Sequence, residues 1–402
     1  MEKILICTNH FYPETFRVND VAFHLAERGY DVTVLTAIPD YPKGKYYEGY
    51  GLFKRRSERI RGVKVIRGFI IPRGQGGAVR IVLNYLSFFI SSVLISLYLG
   101  LFRRFDHVFV HETSPVMIGV PAVIVKALQR IPLFLWVLDL WPESLQAAGG
   151  VNNKRVLKAF ERLTKWIYNH SDKILISSQG FRQSIMDKGD YSGKLVYFPN
   201  WADHELVEDD TDVPLPELPQ GFIVMFAGNM GEAQDFEHIM DAAQQLSDRK
   251  DIHFVIVGSG RKQLWTEQFV ASHHLEKTVH LLGRYPMECM PYFFSQADVM
   301  LISLKDISIF NLTVPAKLQA YMGAGKPIIA MMNGEGPQLI ADAHCGCSVP
   351  AGDSEALARA VLDLSVMDKQ QLLQMGYAGK AYQQEHFNFE KNMVRLEQLL
   401  NG

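Results

Sequence analysis

Four stretches in the first half of the chain and its continuation place reactive or ligand-binding side chains directly after short apolar runs. His111-Glu112-Thr113-Ser114-Pro115 ends the run 108–110. An imidazole and a carboxylate there are hard to explain by core packing, because neither is cheaply buried. They suit contact with sugar hydroxyls, a leaving phosphate or an acceptor. Asp139-Leu140-Trp141-Pro142-Glu143-Ser144 follows another apolar run and sets two carboxylates four apart with an indole between them. A ring that packs on C–H faces beside carboxylates that accept from hydroxyls suits carbohydrate recognition, and the proline predicts a shaped loop. Asn9-His10-Phe11-Tyr12-Pro13-Glu14 lies between a first strand and a first helix, where backbone N–H groups receive anions. It lacks the glycines of a dinucleotide fingerprint. The fourth set comprises Gly228-Asn229-Met230-Gly231, Gly258-Ser259-Gly260-Arg261-Lys262, Pro315-Ala316-Lys317 and Asn333-Gly334-Glu335-Gly336. Proline is tolerated at a helix start, and a lysine beside it reaches an anion. Each of these loops alone reads equally well as an ordinary strand-to-helix turn. Their recurrence after consecutive strands is more specific.

The elements that must hold these loops read as α/β. Strands are predicted at 3–7, 31–36, 63–67, 107–110, 133–137 and 173–176, with helices between several of them, including 17–28 and 152–169. Near-continuous apolar strands separated by helices predict a parallel sheet covered on both faces. The pattern breaks at 204–220, where Asp209-Asp210, Asp212 and prolines 214, 216 and 219 read as a linker. A second alternation follows, with strands at 222–226, 253–257, 279–281, 299–303 and 327–330 and helices at 235–247, 315–323 and 353–364. The expected organisation is therefore a domain 1–203, a linker 204–220, a domain 221–380 and a terminal helix 381–402 packing back on the first domain. Two such domains leave a cleft between them, and ligands bind beyond the carboxyl ends of the strands.

At 402 residues, 48% apolar and 21% charged, the composition is that of a globular protein. The formal charge of -2 hides a division. Residues 1–203 hold 27 basic and 17 acidic side chains, and residues 204–402 hold 14 and 26. A nucleic-acid role is disfavoured, since the basic half has no recognisable reading motif and the other half is acidic. Four cysteines make no disulfide framework and show no zinc spacing, which fits a reducing compartment. The N-terminus passes at once into a strand, without signal-peptide architecture. Ile81–Phe102 is uncharged over 22 residues and is flanked by Arg73, Arg80, Arg103 and Arg104. Its length meets the minimum for a spanning helix, but Asn84 and its serines lower its hydrophobicity and it interrupts an α/β alternation. Spanning, surface contact with an anionic membrane, and an internal or partner-contact helix all remain open. A second basic cluster, Lys54-Arg55-Arg56 with Arg59, Arg61 and Lys64, reads as a lipid-facing patch or a solvated face.

Asp139-Leu-Trp-Pro-Glu143, Tyr197-Phe-Pro-Asn-Trp201, Phe226-Ala-Gly-Asn-Met-Gly231 and Val314-Pro-Ala-Lys-Leu-Gln-Ala-Tyr-Met322 with Ala324-Gly-Lys-Pro327 together resemble the retaining GT-B glycosyltransferases of family 4. The resemblance spans essentially the full length, and the subgroup it resembles is the N-acetyl-L-fucosamine transferases of O-antigen synthesis. It implies a GT-B fold of two Rossmann-like parallel-sheet domains facing a cleft, retention, and no cofactor or metal. A UDP-sugar donor is held by the second domain. The implied acceptor is a lipid-linked saccharide, carried on undecaprenyl diphosphate, at the cytoplasmic membrane face. On this reading His111 is catalytic and contacts the donor sugar or leaving phosphate. Asp139 and Glu143 orient or deprotonate the acceptor, which Glu112 and Trp141 help to bind. Glu14, Gly228, Asn229, Gly258, Ser259, Arg261, Lys317, Glu335 and Gly336 bind the donor. The family's Arg and Lys for the diphosphate are replaced by Asn229 and Gln234, and its paired glutamates by Leu312 and Ala320. Glu335 and Lys317 are the expected substitutes. Two other functions stay open: a nucleotide-sugar epimerase of similar architecture, which needs no acceptor, and a non-catalytic membrane scaffold, which tolerates His111→Ala.

Overall fold

A computed structural model of the chain describes every residue except Gln75, Gly150 and 202–212. Asp209, Asp210 and Asp212 of the expected linker, and the boundary at Asp203, thus lie outside the described residues. The prolines at 214, 216 and 219 lie in irregular chain. Two units are distinguished: Met1–Phe198 with Met393–Gly402, and Pro199–Asn392.

In the first unit the order is β1 (Lys3–Thr8), α1 (Arg17–Glu27), β2 (Asp31–Ala37), β3 (Ser57–Ile60), β4 (Val63–Gly68), α2 (Ala78–Phe102), β5 (His107–Glu112), α3 (Gly119–Gln129), β6 (Leu133–Val137), α4 (Glu143–Gly149), α5 (Lys154–His170), β7 (Lys173–Ile176), α6 (Phe181–Met186) and β8 (Leu195–Tyr197). Among the described residues these strands form one eight-stranded sheet in the order β3-β4-β2-β1-β5-β6-β7-β8. Every pairing is parallel except β3 with β4. Because β1, β5 and β6 are buried on both faces, they are apolar almost throughout. Register sets Thr8 beside His111, His111 beside Trp136 and Glu112 beside Val137. Glu397 accepts from His24 of α1 at 2.9 Å, so the C-terminal residues belong to this unit's packing.

The second unit runs β9 (Phe222–Ala227), α7 (Phe236–Gln245), β10 (Ile252–Val257), α8 (Gln263–Ser272), β11 (Val279–Gly283), α9 (Met290–Gln296), β12 (Val299–Ser303), α10 (Ser308–Asn311), α11 (Ala316–Gly323), β13 (Ile328–Met331), α12 (Glu335–Asp342), β14 (Gly346–Val349), α13 (Ser354–Ser365) and α14 (Lys369–His386), and the closing helix α15 (Phe389–Leu400) belongs to the first unit from Met393 onward. Its parallel six-stranded sheet, again among the described residues, has the order β11-β10-β9-β12-β13-β14. Phe226, Phe236, Ile239, Leu357 and Val361 pack on one face. Met225, Phe293, Leu318, Tyr321 and Met322 pack on the other.

Three strands escaped the sequence pattern. β3 is a charged edge strand with alternating exposure, the kind of edge that blunts pairing with another chain. β8 has only three residues, and β14 is only half-buried. The basic cluster beside β3 is partly internal. Arg56 donates to the Arg67 carbonyl at 2.7 Å and Arg61 pairs with Glu27 at 2.6 Å.

Helix α2 is turned inside out. Its buried stripe is Asn84, Phe88, Ser92, Ser96, Leu99 and Gly100, while Val82, Leu83, Leu86, Ile90, Leu94, Leu101 and Phe102 are exposed. The polar inner side is satisfied by protein: Ser91 donates to the Phe69 carbonyl at 2.7 Å, and Ser87 accepts from the Ile71 N–H at 2.9 Å. Small residues four apart let helices approach closely, and a Cβ on Gly100 would stand 2.6 Å from Leu128 of α3. Ser96→Leu should therefore overpack this seam and lower stability by about 1–3 kcal/mol, read as an earlier urea midpoint.

Candidate active site

Parallel strands end on one side of each sheet, so the loops after them converge. In the second unit the turn after β9 meets the turn after β10. Gly228 has φ +138° and Gly258 φ +155°, values that favour glycine. A Cβ on Gly258 would lie 1.8 Å from the Gly228 carbonyl oxygen, and one on Gly228 2.5 Å from Lys317 Cε. The two turns are stitched together by Met230 N–H donating to Ser259 O and Lys262 N–H donating to Met230 O, both at 2.9 Å. Asn229, Gly260 and Arg261 are exposed, and Ser259 is half-buried.

Lys317 enters this turn from the start of α11. Its ammonium is sealed from solvent, has no hydrogen-bond partner, and stands 3.7 Å from the Phe226 ring centroid. Burial pushes its pKa down to about 7. Tyr321, one turn further along α11, braces the arrangement: its hydroxyl accepts from Ala227 N–H at 2.9 Å and donates to Ala227 O at 3.0 Å. Gln234, where the family has a cation, accepts from Gly231 N–H at 3.0 Å and so closes a turn. Glu335 opens α12 with Gly336 buried behind it.

In the first unit His111 is buried among Thr8, Phe16 and Trp136. Burial, helped by His10, pushes its pKa down to about 3, so the ring is neutral at ordinary pH. Thr8 donates its hydroxyl proton to His10 O at 3.0 Å. It must then accept from His111 Nδ1–H at 3.1 Å, a tautomer assigned from the network. Nε2 is left as an acceptor, suited to a hydroxyl. Ser114 joins the loops: it donates to Asp139 and accepts from Trp141 Nε1 at 3.2 Å, while its carbonyl accepts from Asn9. Asp139 also accepts from Ser144, and Glu143 pairs with Lys188 and accepts from Ser184.

Three expectations need correction. Glu112 is fully buried and neither carboxyl oxygen has a partner. It lies on the face of β5 opposite His111, so it presents nothing to an acceptor. Burial, with Asp139 and Glu143 nearby, raises its pKa well above the carboxylate range. Trp141 is buried with its N–H occupied and its ring against Phe160, which leaves no face for a sugar. Glu14 is also buried: Oε1 accepts from Asp40 and Tyr41 N–H, and Oε2 takes His10 Nδ1. It braces the loop and does not offer itself to a donor. Sequence reasoning missed Asp40, Arg73 and Tyr321 as site-building residues. For Asp40 the signal was present, since Asp40-Tyr41-Pro42 also follows a strand. Among the described residues no group of three or more His, Cys, Asp or Glu is arranged to hold a metal.

Two doubly wound units with such loops define the GT-B class of fold. Residues 15–201 match the model described as "Glycosyl transferase 4-like domain", and residues 221–366 the one described as "Glycosyl transferases group 1". A Pseudomonas aeruginosa protein named as a probable glycosyltransferase, WbjE, is 28% identical over 67% of this chain and 69% of its own. WcaI of Escherichia coli K12, assigned to colanic acid biosynthesis, is 23% identical over 80% and 81%. The Anabaena Alr3699/HepE structure in complex with UDP covers 100% of both chains at 14% identity, with a TM-score of 0.70. The chain is a glycosyltransferase built from a glycosyl transferase 4-like domain and a group 1 domain, related to bacterial surface-polysaccharide enzymes.

Two substitutions in α11 should act in opposite directions. Tyr321→Phe orphans both polar groups of Ala227 and should cost about 1–3 kcal/mol. Lys317→Met removes a sealed, partnerless ammonium and should stabilise by a similar amount, about 1–3 kcal/mol. The native lysine's pKa is depressed from 10.5 to about 7, so its penalty is full below pH 7 and fades as pH rises toward 10.5. The gain from Lys317→Met should follow that course in urea titrations at several pH values.

Proposed function

We propose that this enzyme transfers a sugar, with retention, from a UDP-sugar to a lipid-linked saccharide in surface-polysaccharide synthesis, working at an anionic membrane surface. The observation that carries the donor half is Lys317. A buried ammonium without a hydrogen-bond partner, at a turn whose glycines hold the backbone open, suits an anion. Departure of UDP builds negative charge on the diphosphate, and Lys317 with the N–H groups of Asn229, Ser259 and Gly260, which donate to no acceptor among the described residues, would stabilise it. Solved structures of similar fold are described with UDP, with UDP-glucose, and with UDP and GlcNAc. Asn229, Ser259, Arg261, Glu335 and Gly336 border the same turn-rich end and complete the donor reading.

His111 supports the sugar half, as a neutral imidazole whose free Nε2 accepts from a hydroxyl. Asp139 and Glu143 are already hydrogen-bonded yet remain partly accessible, and orienting the acceptor is the role we assign them. The likeness of the sequence to N-acetyl-L-fucosamine transferases makes an N-acetylated deoxyhexose the first donor to try. Retention without an evident protein nucleophile favours same-face attack guided by the departing phosphate.

The inverted α2 supports the membrane half. About 37 Å of helix shows an apolar face to its surroundings, with Arg80 in its first turn and Arg103 and Arg104 just after its end, all exposed. Its two ends return to strands of one sheet, which favours a helix lying along a lipid surface over one crossing it.

Membranes or lipid-linked GlcNAc incubated with a panel of UDP-sugars should yield one extended product by mass, with the donor's anomeric configuration retained by NMR. His111→Ala should lower kcat by about 100-fold or more. No product with any donor, together with no UDP binding, would refute the enzyme reading. UDP affinity should be flat below pH 7 and weaken above it, by up to about tenfold per pH unit, because binding then requires Lys317 to take up a proton. Lys317→Met should flatten that profile in calorimetry. Phosphatidylglycerol vesicles should capture the protein, and Leu94→Glu with Leu101→Glu should abolish capture. Concentration-dependent dimerisation without capture would assign the face to a second copy instead.

A further inference from the structure

Beyond Arg80 in the exposed first turn of α2, Asn84 is the residue that breaks its apolar character most sharply, and it is fully buried. Burying an amide is costly unless its groups are paired, and here both ends are used. Nδ2 donates to Ile71 O at 2.7 Å and to Asp40 Oδ2 at 3.1 Å, and Oδ1 accepts from Arg73 Nε at 3.3 Å. These bonds belong to a closed ring. Asp40 donates its backbone N–H to Glu14 at 2.8 Å, and Glu14 takes His10 Nδ1 at 2.7 Å. His10 Nε2 faces Arg73 Nη2 at 3.4 Å, and Arg73 returns to Asn84. The Arg73 guanidinium also lies over the rings of Tyr41 and Tyr85, 5.5 and 5.3 Å from their centroids. Tyr85 is on α2 itself.

The ring reaches the reacting end of the sheet through one further contact. Phe16 stacks on His10, with centroids 4.6 Å apart and planes 8° from parallel. Its edge meets His111 at 6.4 Å and 81°. A closed set of hydrogen bonds resists change at one member alone, since each bond fixes the orientation of the next. Leucine would satisfy helix propensity and burial at position 84 without any of this. A local rule broken without local gain points to a role elsewhere.

We infer that Asn84 is a positioning residue that couples the seating of α2 on lipid to the His10–Glu14 loop, and through Phe16 to the geometry at His111. The inference rests on the membrane reading above, and deepens it by making the lipid surface a regulator of turnover as well as an anchor. Lipid that shifts or steadies α2 acts on Asn84 and Tyr85 together, and the Arg73 guanidinium held by both carries the change to His10.

The test compares wild type, Asn84→Leu and Arg73→Lys, each with UDP affinity and thermal unfolding as controls for folding. A water-soluble acceptor saccharide is used, so that vesicles cannot act by presenting substrate. Capture by phosphatidylglycerol vesicles and kcat with and without them are measured, with phosphatidylcholine vesicles as the uncharged control. The expected result is stimulation of wild-type kcat by about fivefold or more, with both variants captured equally well but not stimulated. Arg73→Lys keeps the charge and leaves the core of α2 intact, so it decides the matter if Asn84→Leu folds poorly. Wild type captured but not stimulated, or a folded variant stimulated as wild type is, overturns the coupling while leaving the membrane reading in place. Wild type not captured at all overturns the membrane reading, and the coupling with it.

Discussion

A polar group taken out of water must find a partner, and the carboxyl-end loops of the two units are organised around where that requirement is met and where it is left open. At Lys317 it is left open. The side chain starts from α11, whose Tyr321 is tied to both polar groups of Ala227 at the end of β9. Gly228 leaves it the room it occupies. The fold thus seals an amine at this turn, at a cost in stability that an apolar residue would avoid, and on the proposed function that amine meets the donor's diphosphate. Such a trade of stability for function is common at sites preorganised for charge.

The first unit meets the same requirement differently. His10, Glu14, Asp40, Arg73 and Asn84 satisfy one another in a ring, so two buried carboxylates coexist with one guanidinium and a histidine. Asp40 nevertheless has its pKa raised by burial, only partly opposed by Arg73. Glu112 is the exception. Neither of its oxygens is partnered and burial raises its pKa, and the likewise unpartnered hydroxyl of Tyr168 lies near it. Its neighbour His111, on the opposite face of the strand, is neutral for the same reason with the opposite sign. Burial disfavours the charged form of both.

Polarity also explains α2. In water a helix buries its apolar stripe and shows its polar one, and α2 does the reverse. Ser87, Ser91 and Asn84 are stitched to the segment Phe69–Arg73, which leaves leucines and aromatics outward. Together with the basic surplus of residues 1–203, this gives the charge division of the chain a structural location.

Strand order and the kind of fold were legible in the sequence because a buried parallel sheet demands apolar runs, and those runs stand out in any α/β chain. The ends of the runs marked Asp139, Gly228 and Gly258 as loop residues, which is where they lie, whereas His111 is still within β5. The fate of each side chain was not legible. Two adjacent residues, His111 and Glu112, looked alike as polar groups at a strand end, yet the period of two sends them to opposite faces. Only the packing of α5 and the Asp139 loop seals Glu112 away. Trp141 reads as a sugar platform until Ser114 and Phe160 are seen to occupy it. Asn84 and Arg73 are eleven residues apart in sequence, and Asp40 and Glu14 lie further off still, so no local pattern could announce their ring. Sequence by itself determined which segments are buried and which loops gather at the carboxyl ends, because hydrophobic periodicity is local. Tertiary structure alone decided which polar groups are satisfied, which are left unpaired, and which way α2 faces, because partners come from distant parts of the chain.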